Sequence, residues 1–238
     1  MIKKLLNAKI AVLPVLALII FFPSCSAKIN AQLQQGGSGT VQLQANLEPN
    51  MTALIRSFMS MGGVQPGTLL DAAVLNRSLQ AASGISSAAL RNTGPEKVEG
   101  TIGVSRINDL LNAGANRFVQ YEAGAASGKL GIHLDRSITP NLLMQIYPDA
   151  VDYLSALMAP AATGEALTRA NYLSLVESVY GKALANEIAS SRVTAAITMP
   201  GAVKSVKGGT FSGREARFDI ALVDLLVLEQ PLDYEIIW

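Results

Sequence analysis

Residues 40–48, TVQLQANLE, alternate without a fault: Val41, Leu43, Ala45 and Leu47 are apolar, and Gln42, Gln44, Asn46 and Glu48 lie between them. A period of two puts each set on its own face, so the segment predicts an antiparallel strand buried on one side only. At Pro49 the period changes. Leu54, Phe58 and Met61 form one stripe with Ile55 and Met59 beside it, which predicts a helix capped by Asn50 and closed by Gly62-Gly63. A second helix is predicted from Thr68 to Ala82, and SGISSAALRNTGPE after it reads as loop. Extended structure resumes at Lys97, with Val98, Ile102 and Val104 around Gly100 and Gly103; Ser105 then caps a short helix, RINDLLNAG, that stops at Gly114. NRFVQYEA and KLGIHLDRS predict two strands of a hairpin joined by GAASG.

A helical stretch follows through TPNLLMQIY, DAVDYLSALM and GEALTRANYLSLVESVYGKALANEIA. In the last of these Tyr172, Leu175, Val176 and Val179 recur at helical spacing and predict a buried face. The carboxyl-terminal region returns to extended structure in RVTAAITMPG, VKSVKGGTFSG and REARFDIAL, passes through a helical turn in VDLLVLEQP, and finishes on LDYEIIW. Tyr234, Ile236 and Trp238 share one face of that segment, which predicts a docked strand. Strands at both ends with helices between them predict a single α+β domain over residues 39–238, with helices packed on one face of a largely antiparallel sheet.

The amino terminus has a different character. Lys3, Lys4 and Lys9 precede an unbroken apolar run from Ile10 to Phe22, thirteen residues long. That is enough for the core of a signal peptide and short of the ~20 residues a spanning helix needs. The run ends in Phe22-Pro23-Ser24-Cys25, and Cys25 is the only cysteine of the 238 residues. FPSC resembles the lipobox of bacterial lipoproteins, with Phe22 where leucine is usual and Pro23 where a small residue is usual. The resemblance implies that residues 1–24 are a lipoprotein signal peptide and that Cys25 becomes the diacylglycerol- and palmitate-bearing first residue. The other reading is ordinary secretion with cleavage after Ala27. Residues 25–38, rich in Gln, Ser and Gly, read as a flexible tether to the domain.

Charge narrows the function further. Without residues 1–24 the chain carries sixteen basic and eighteen acidic side chains, so no basic excess points to nucleic acid. The one histidine, His133, shares a strand face with Asp135, a pairing that can serve a general base. No G-x-S-x-G elbow accompanies it. One histidine and one cysteine leave no usual zinc set, and GAASGKL has neither the spacing nor the hydroxyl of a phosphate loop. No catalytic residue, metal or cofactor is expected. The adaptable side chains of LIRSFMSM and LLMQIYPDAVDYLSALM make Phe58, Met59, Met144 and Met158 the candidates for an apolar ligand site, although such stripes serve equally as core.

The carboxyl-terminal order of a strand ending MPG, then VKGGTFSGREARFDIAL, a leucine-rich turn and a terminal YEIIW resembles the LppM-like lipoprotein domains of bacteria. That likeness includes the strand at residues 40–48, while the long helical segment has no counterpart in it. It implies a lipid-binding α/β fold. Together these readings predict a membrane-anchored envelope lipoprotein outside the cytoplasm, acting as a non-catalytic binding module for a hydrophobic ligand or lipid. The rival expectation is a structural or adhesive lipoprotein that works through an exposed apolar patch on another envelope protein.

Overall fold

A computed structural model of the chain describes residues 25–61, 67–107, 119–124, 127–140 and 154–238. The first strand, β1 (Cys25–Leu33), pairs antiparallel with β2 (Gly39–Leu47), and the two are joined by a turn at residues 34–38. This corrects the tether reading. Ala27, Ile29 and Leu33 are buried and Ser26, Lys28 and Gln32 exposed, so small and polar residues hide the same period of two that is plain in β2. Composition suggested a linker; the alternation decides for a strand.

Helix α1 (Pro49–Met61) leaves β2 directly. Asn50 does not cap it as expected. The Glu187 carboxylate accepts from the backbone N–H groups of Asn50 and Met51, at 2.9 and 2.8 Å, and from the Asn50 side chain at 2.8 Å. A negative charge brought across the fold thus satisfies the first turn. Helix α2 (Ala72–Gln80) is capped by Asp71, which accepts from Ala73 and Val74. The segment read as loop after it is strand β3 (Ile85–Gly94), paired with β4 (Lys97–Val104) through two register shifts. Those irregularities blur the alternation in the sequence.

The strands β5 (Val119–Ala123) and β6 (Gly128–Leu134) form the expected hairpin. After the short helix α3 (Pro160–Thr163) come α4 (Arg169–Tyr180) and α5 (Lys182–Ser190). Gly181, at a φ of 93° that disfavours other residues, breaks what the sequence read as one helical run. Tyr172 and Val176 are buried as predicted, but Val179, next to that break, is 53% exposed. The chain then makes β7 (Arg192–Thr198), β8 (Ser205–Lys207), β9 (Thr210–Ser212) and β10 (Glu215–Ala221). Helix α6 (Leu222–Val227), with apolar residues buried all round, leads into β11 (Leu232–Ile237). The Gly62-Gly63 stop, most of RINDLLNAG and the helical stretch around Met144 lie outside the described residues.

These elements make an α+β domain with two sheets where one was expected. The larger has the order β3-β4-β2-β1-β7-β10-β9, antiparallel throughout except for β1 against β7; the smaller has the order β5-β6-β11-β8. The inward positions of the large sheet, among them Ile29, Leu43, Val98, Ile102 and Val193, join Met51 and Ile55 of α1, Leu79 of α2, Leu184 and Ile188 of α5 and the α6 leucines in one core. The outward positions stay polar. In the small sheet the last strand is docked as predicted: Trp238 is buried, exchanges backbone hydrogen bonds with Gly128 and stacks on Tyr121 with ring centroids 5.8 Å apart.

One edge of the large sheet carries its own seal. Asn76 of α2 donates its amide to the Leu90 carbonyl and accepts from the Leu90 N–H, both at 2.8 Å, and Gln80 donates to the Ala88 carbonyl at 3.2 Å. Two side-chain amides therefore imitate a further strand against β3 and blunt an edge that would otherwise pair with another chain.

Candidate functional site

The open side of the large sheet is built from alternate residues of its strands. One rung aligns Lys97, Asn46 and Ser26 across β4, β2 and β1, and the β1–β7 register carries it on to Arg192. The next rung holds Glu99, Gln44, Lys28, Thr194 and Asp219. Beyond it come Thr101, Gln42, Asn30, Ala196 and Arg217. Two open depressions lie on this surface. One, of about 490 Å³, is lined by Ser26, Lys28, Asn46, Lys97 and Arg192 among others; a second, of about 770 Å³, runs from Lys28 and Asn30 to Arg217 and Phe218.

The charges at the Cys25 end of this surface are not evenly engaged. The Glu48 carboxylate accepts from Ser26 at 3.1 Å and Asn46 at 3.3 Å. Glu96 pairs with Arg56 and Glu99 with Arg91, each at 2.5 Å. Glu187 is occupied by the start of α1. Lys28, Lys97 and Arg192 are exposed, and none has an ion-pair partner among the described residues. In the rung nearest Cys25 both charged residues, Lys97 and Arg192, are therefore cations without an ion-pair partner, whereas the next rung holds Asp219 as well as Lys28. Cys25 itself is the first residue of β1, the fourth of the seven strands, opposite Leu47 of β2.

Of the four residues predicted to line an apolar site, Phe58, Met59 and Met158 belong to the other, helical layer. Phe58 and Met59 are half-buried on α1; the Phe58 ring meets Tyr180 edge-on at 6.4 Å, and Met59 packs on the core. The Tyr180 hydroxyl donates to the Ala156 carbonyl, two residues before half-buried Met158, whose φ is 53°. Tyr180 thus links the helix of Phe58 to the turn that carries Met158. Met144 lies outside the described residues. Sequence reasoning put Tyr172 on a buried face but not among the site candidates; it is fully buried in the same layer with a hydroxyl that makes no hydrogen bond. Burial, with a smaller contribution from the Tyr180 phenol, pushes its pKa well up, so it stays a neutral donor.

On the small sheet both ring nitrogens of His133 meet carboxylates. Its Nε2 lies 3.0 Å from Asp135 Oδ2, the strand-mate expected to face it, and its Nδ1 lies 2.5 Å from Asp233 Oδ1 on β11, which no local pattern revealed. Lys207 on β8 reaches the other Asp233 oxygen at 3.4 Å. Two carboxylate partners favour two N–H donors, and hence the protonated imidazole. Its pKa is raised, chiefly by the hydrogen bond to Asp233 and then by that to Asp135. Asp135 is held down at about 2, first by the Ser137 hydroxyl, with the His133 bond adding to it against partial desolvation. Both ring nitrogens are thus engaged by carboxylates of the protein itself. The cluster is an interstrand clamp.

Among the described residues no group of three or more His, Cys, Asp or Glu side chains is placed to hold a metal ion, and no helix is long and apolar enough to cross a membrane. The large exposed apolar residues among them, Val74, Val179 and Phe211, sit on three different elements, α2, α4 and β9.

No protein-family model matches the chain, and no curated protein matches it. Among solved structures it is similar to the NMR structure of the folded domain of LppM from Mycobacterium tuberculosis, with 7% identity and a TM-score of 0.42 over 90% of this chain and 88% of that one.

Proposed function

We propose that the chain is a lipoprotein of a bacterial envelope, anchored to a membrane by acylated Cys25, whose α+β domain is a non-catalytic binding module outside the cytoplasm. The observation that carries this reading is that residues 25–27, which the two cleavage alternatives treat differently, are paired in the large sheet. A cut in front of Cys25 leaves β1 whole. A cut after Ala27 removes three residues that pair with Leu47, Asn46 and Ala45 of β2, one of which also pairs with Val193 of β7. Loss of one end of a central strand strips backbone hydrogen bonds from both neighbours. This supports the lipobox-like cleavage, which keeps those pairs, over a cut after Ala27.

The module's ligand, on this reading, is a hydrophobic molecule seated in the helical layer near Phe58, Met59 and Met158. The unpaired Tyr172 hydroxyl supports it, because a buried donor without a partner costs about 1–3 kcal/mol, which a polar atom on an otherwise apolar ligand would recover. The anchor is tested by growing cells with labelled fatty acid. Wild-type protein takes up label and sediments with membranes, and Cys25→Ser protein does neither; label or membrane association in the serine variant overturns the anchor. The ligand is tested by native mass spectrometry of the purified protein. An extra mass that extracts as lipid is expected, and a bare protein mass that stays bare after incubation with lipid overturns it in favour of a protein-contact role.

A further inference from the structure

We infer that the end of the large sheet at which β1 begins is a membrane-apposed surface: the domain stands on anionic phospholipid headgroups through the strand ends around Lys97 and Arg192. The inference rests on the acylation of Cys25 proposed above and adds an orientation to it. With residues 25–33 forming a strand, no tether separates the anchor from the fold. An extended chain covers at most ~3.6 Å per residue, so a flexible linker of fourteen residues could have reached some 50 Å. A strand that includes the acylated residue gives the domain almost none of that freedom. Because β1 is the fourth of seven strands, the attachment point lies in the middle of the sheet, and the ends of its neighbours come down beside it.

Which residues come down follows from register. Arg192 stands one strand from Ser26, about 5 Å away at ordinary strand spacing, and Lys97 two strands away on the other side, about 10 Å. Lys28 lies one rung further in. Lys97, Arg192 and Lys28 have no ion-pair partner among the described residues; at the same end Glu96 and Glu99 are paired with Arg56 and Arg91, Glu48 and Glu187 accept hydrogen bonds from neutral donors, and Asp219, in the rung of Lys28, is exposed. The rung nearest the anchor, with Lys97 and Arg192 and no acid, suits a surface of anionic headgroups, although the chain after residue 24 is acidic overall. The opposite end of the sheet, at Thr198 and Glu215, is held away by the length of β7, about 20 Å at ~3.3 Å per residue.

The test uses the acylated full-length protein in vesicles of phosphatidylglycerol and phosphatidylethanolamine that contain a headgroup-linked quencher. Because acylation consumes the only native thiol, single cysteines introduced by Thr93→Cys, Ser190→Cys and Ser212→Cys take a fluorophore uniquely. Quenching several-fold stronger at 93 and 190 than at 212 is expected. Inserting ten Gly/Ser residues between Cys25 and Ser26 should erase the difference, and Lys97→Glu with Arg192→Glu should reduce it. Equal quenching at the three positions, or stronger quenching at 212, in protein that is acylated and sediments with vesicles overturns the orientation while leaving the anchor standing. Protein that carries no acyl chain overturns both.

Discussion

The large sheet presents two faces made by the same strands. The inner one is a continuous apolar layer under helices, with Leu43, Val98, Ile102 and Val193 nearly inaccessible. The outer one is a lattice of amides, hydroxyls and a few charges open to its surroundings. Neighbouring residues such as Leu43 and Gln44 therefore do different work: one parity holds the fold together and the other meets whatever lies outside. The helical layer belongs to the first parity, and it is there that the unpaired Tyr172 hydroxyl and the Phe58–Tyr180 contact lie. In the proposed arrangement the open face rises from the membrane at its Cys25 end.

That division can be broken most sharply at Leu43. Leu43→Ala removes a fully buried side chain from the middle of the core and should cost about 2–5 kcal/mol in denaturant unfolding. Asn76→Ala leaves the Leu90 carbonyl and N–H of the β3 edge without their side-chain partners, and a loss of about 1–3 kcal/mol is expected, with a greater tendency to self-associate on concentration. Glu187→Ala, which strips the acceptor from the first turn of α1, should cost about 0.5–2 kcal/mol by the same measurement. Gln44→Ala, on the open face beside Leu43, should stay within about 0.5 kcal/mol of wild type. A Gln44 effect as large as that of Leu43 would mean that the outer face is structural after all.

The clamp on the small sheet gives a dependence on pH. The raised His133 pKa means that its contribution is complete below the ordinary value of 6.5 and is lost as pH rises through the higher folded value. Asp135 acts in the other direction: its contribution is present above the ordinary 3.8 and is lost as pH falls through about 2. The clamp therefore stabilises most between pH 3.8 and 6.5. These groups are exposed enough that the effect is small. Unfolding midpoints measured across pH should decline on the alkaline side for wild type, and His133→Asn should flatten that decline.

Several parts of this picture were legible in the residues. The faultless alternation of β2, the β5–β6 hairpin and the docked terminal strand follow from local periodicity, as does the α+β class. Two strands escaped: in β1 the inward positions include alanines, too small to announce a buried face, and in β3 register shifts interrupt the alternation. His133 and Asp135 were seen as neighbours because a single residue, Leu134, separates them. Asp233 was not, because a hundred residues intervene and only the β6–β11 register brings it to the ring.

By itself the sequence determined where the apolar run stops, that one thiol follows it, and which parity of each clear strand is apolar, because these are properties of neighbouring residues along the chain. Only the tertiary structure decided that the residues after Cys25 are the centre of a sheet, that Glu187 starts α1, that Asn76 seals β3 and that Lys97 and Arg192 share one end with the cysteine. Each of those depends on register and packing between distant segments. Such pairings are selected by the burial of the whole apolar face and the satisfaction of every backbone group, so no local window contains them.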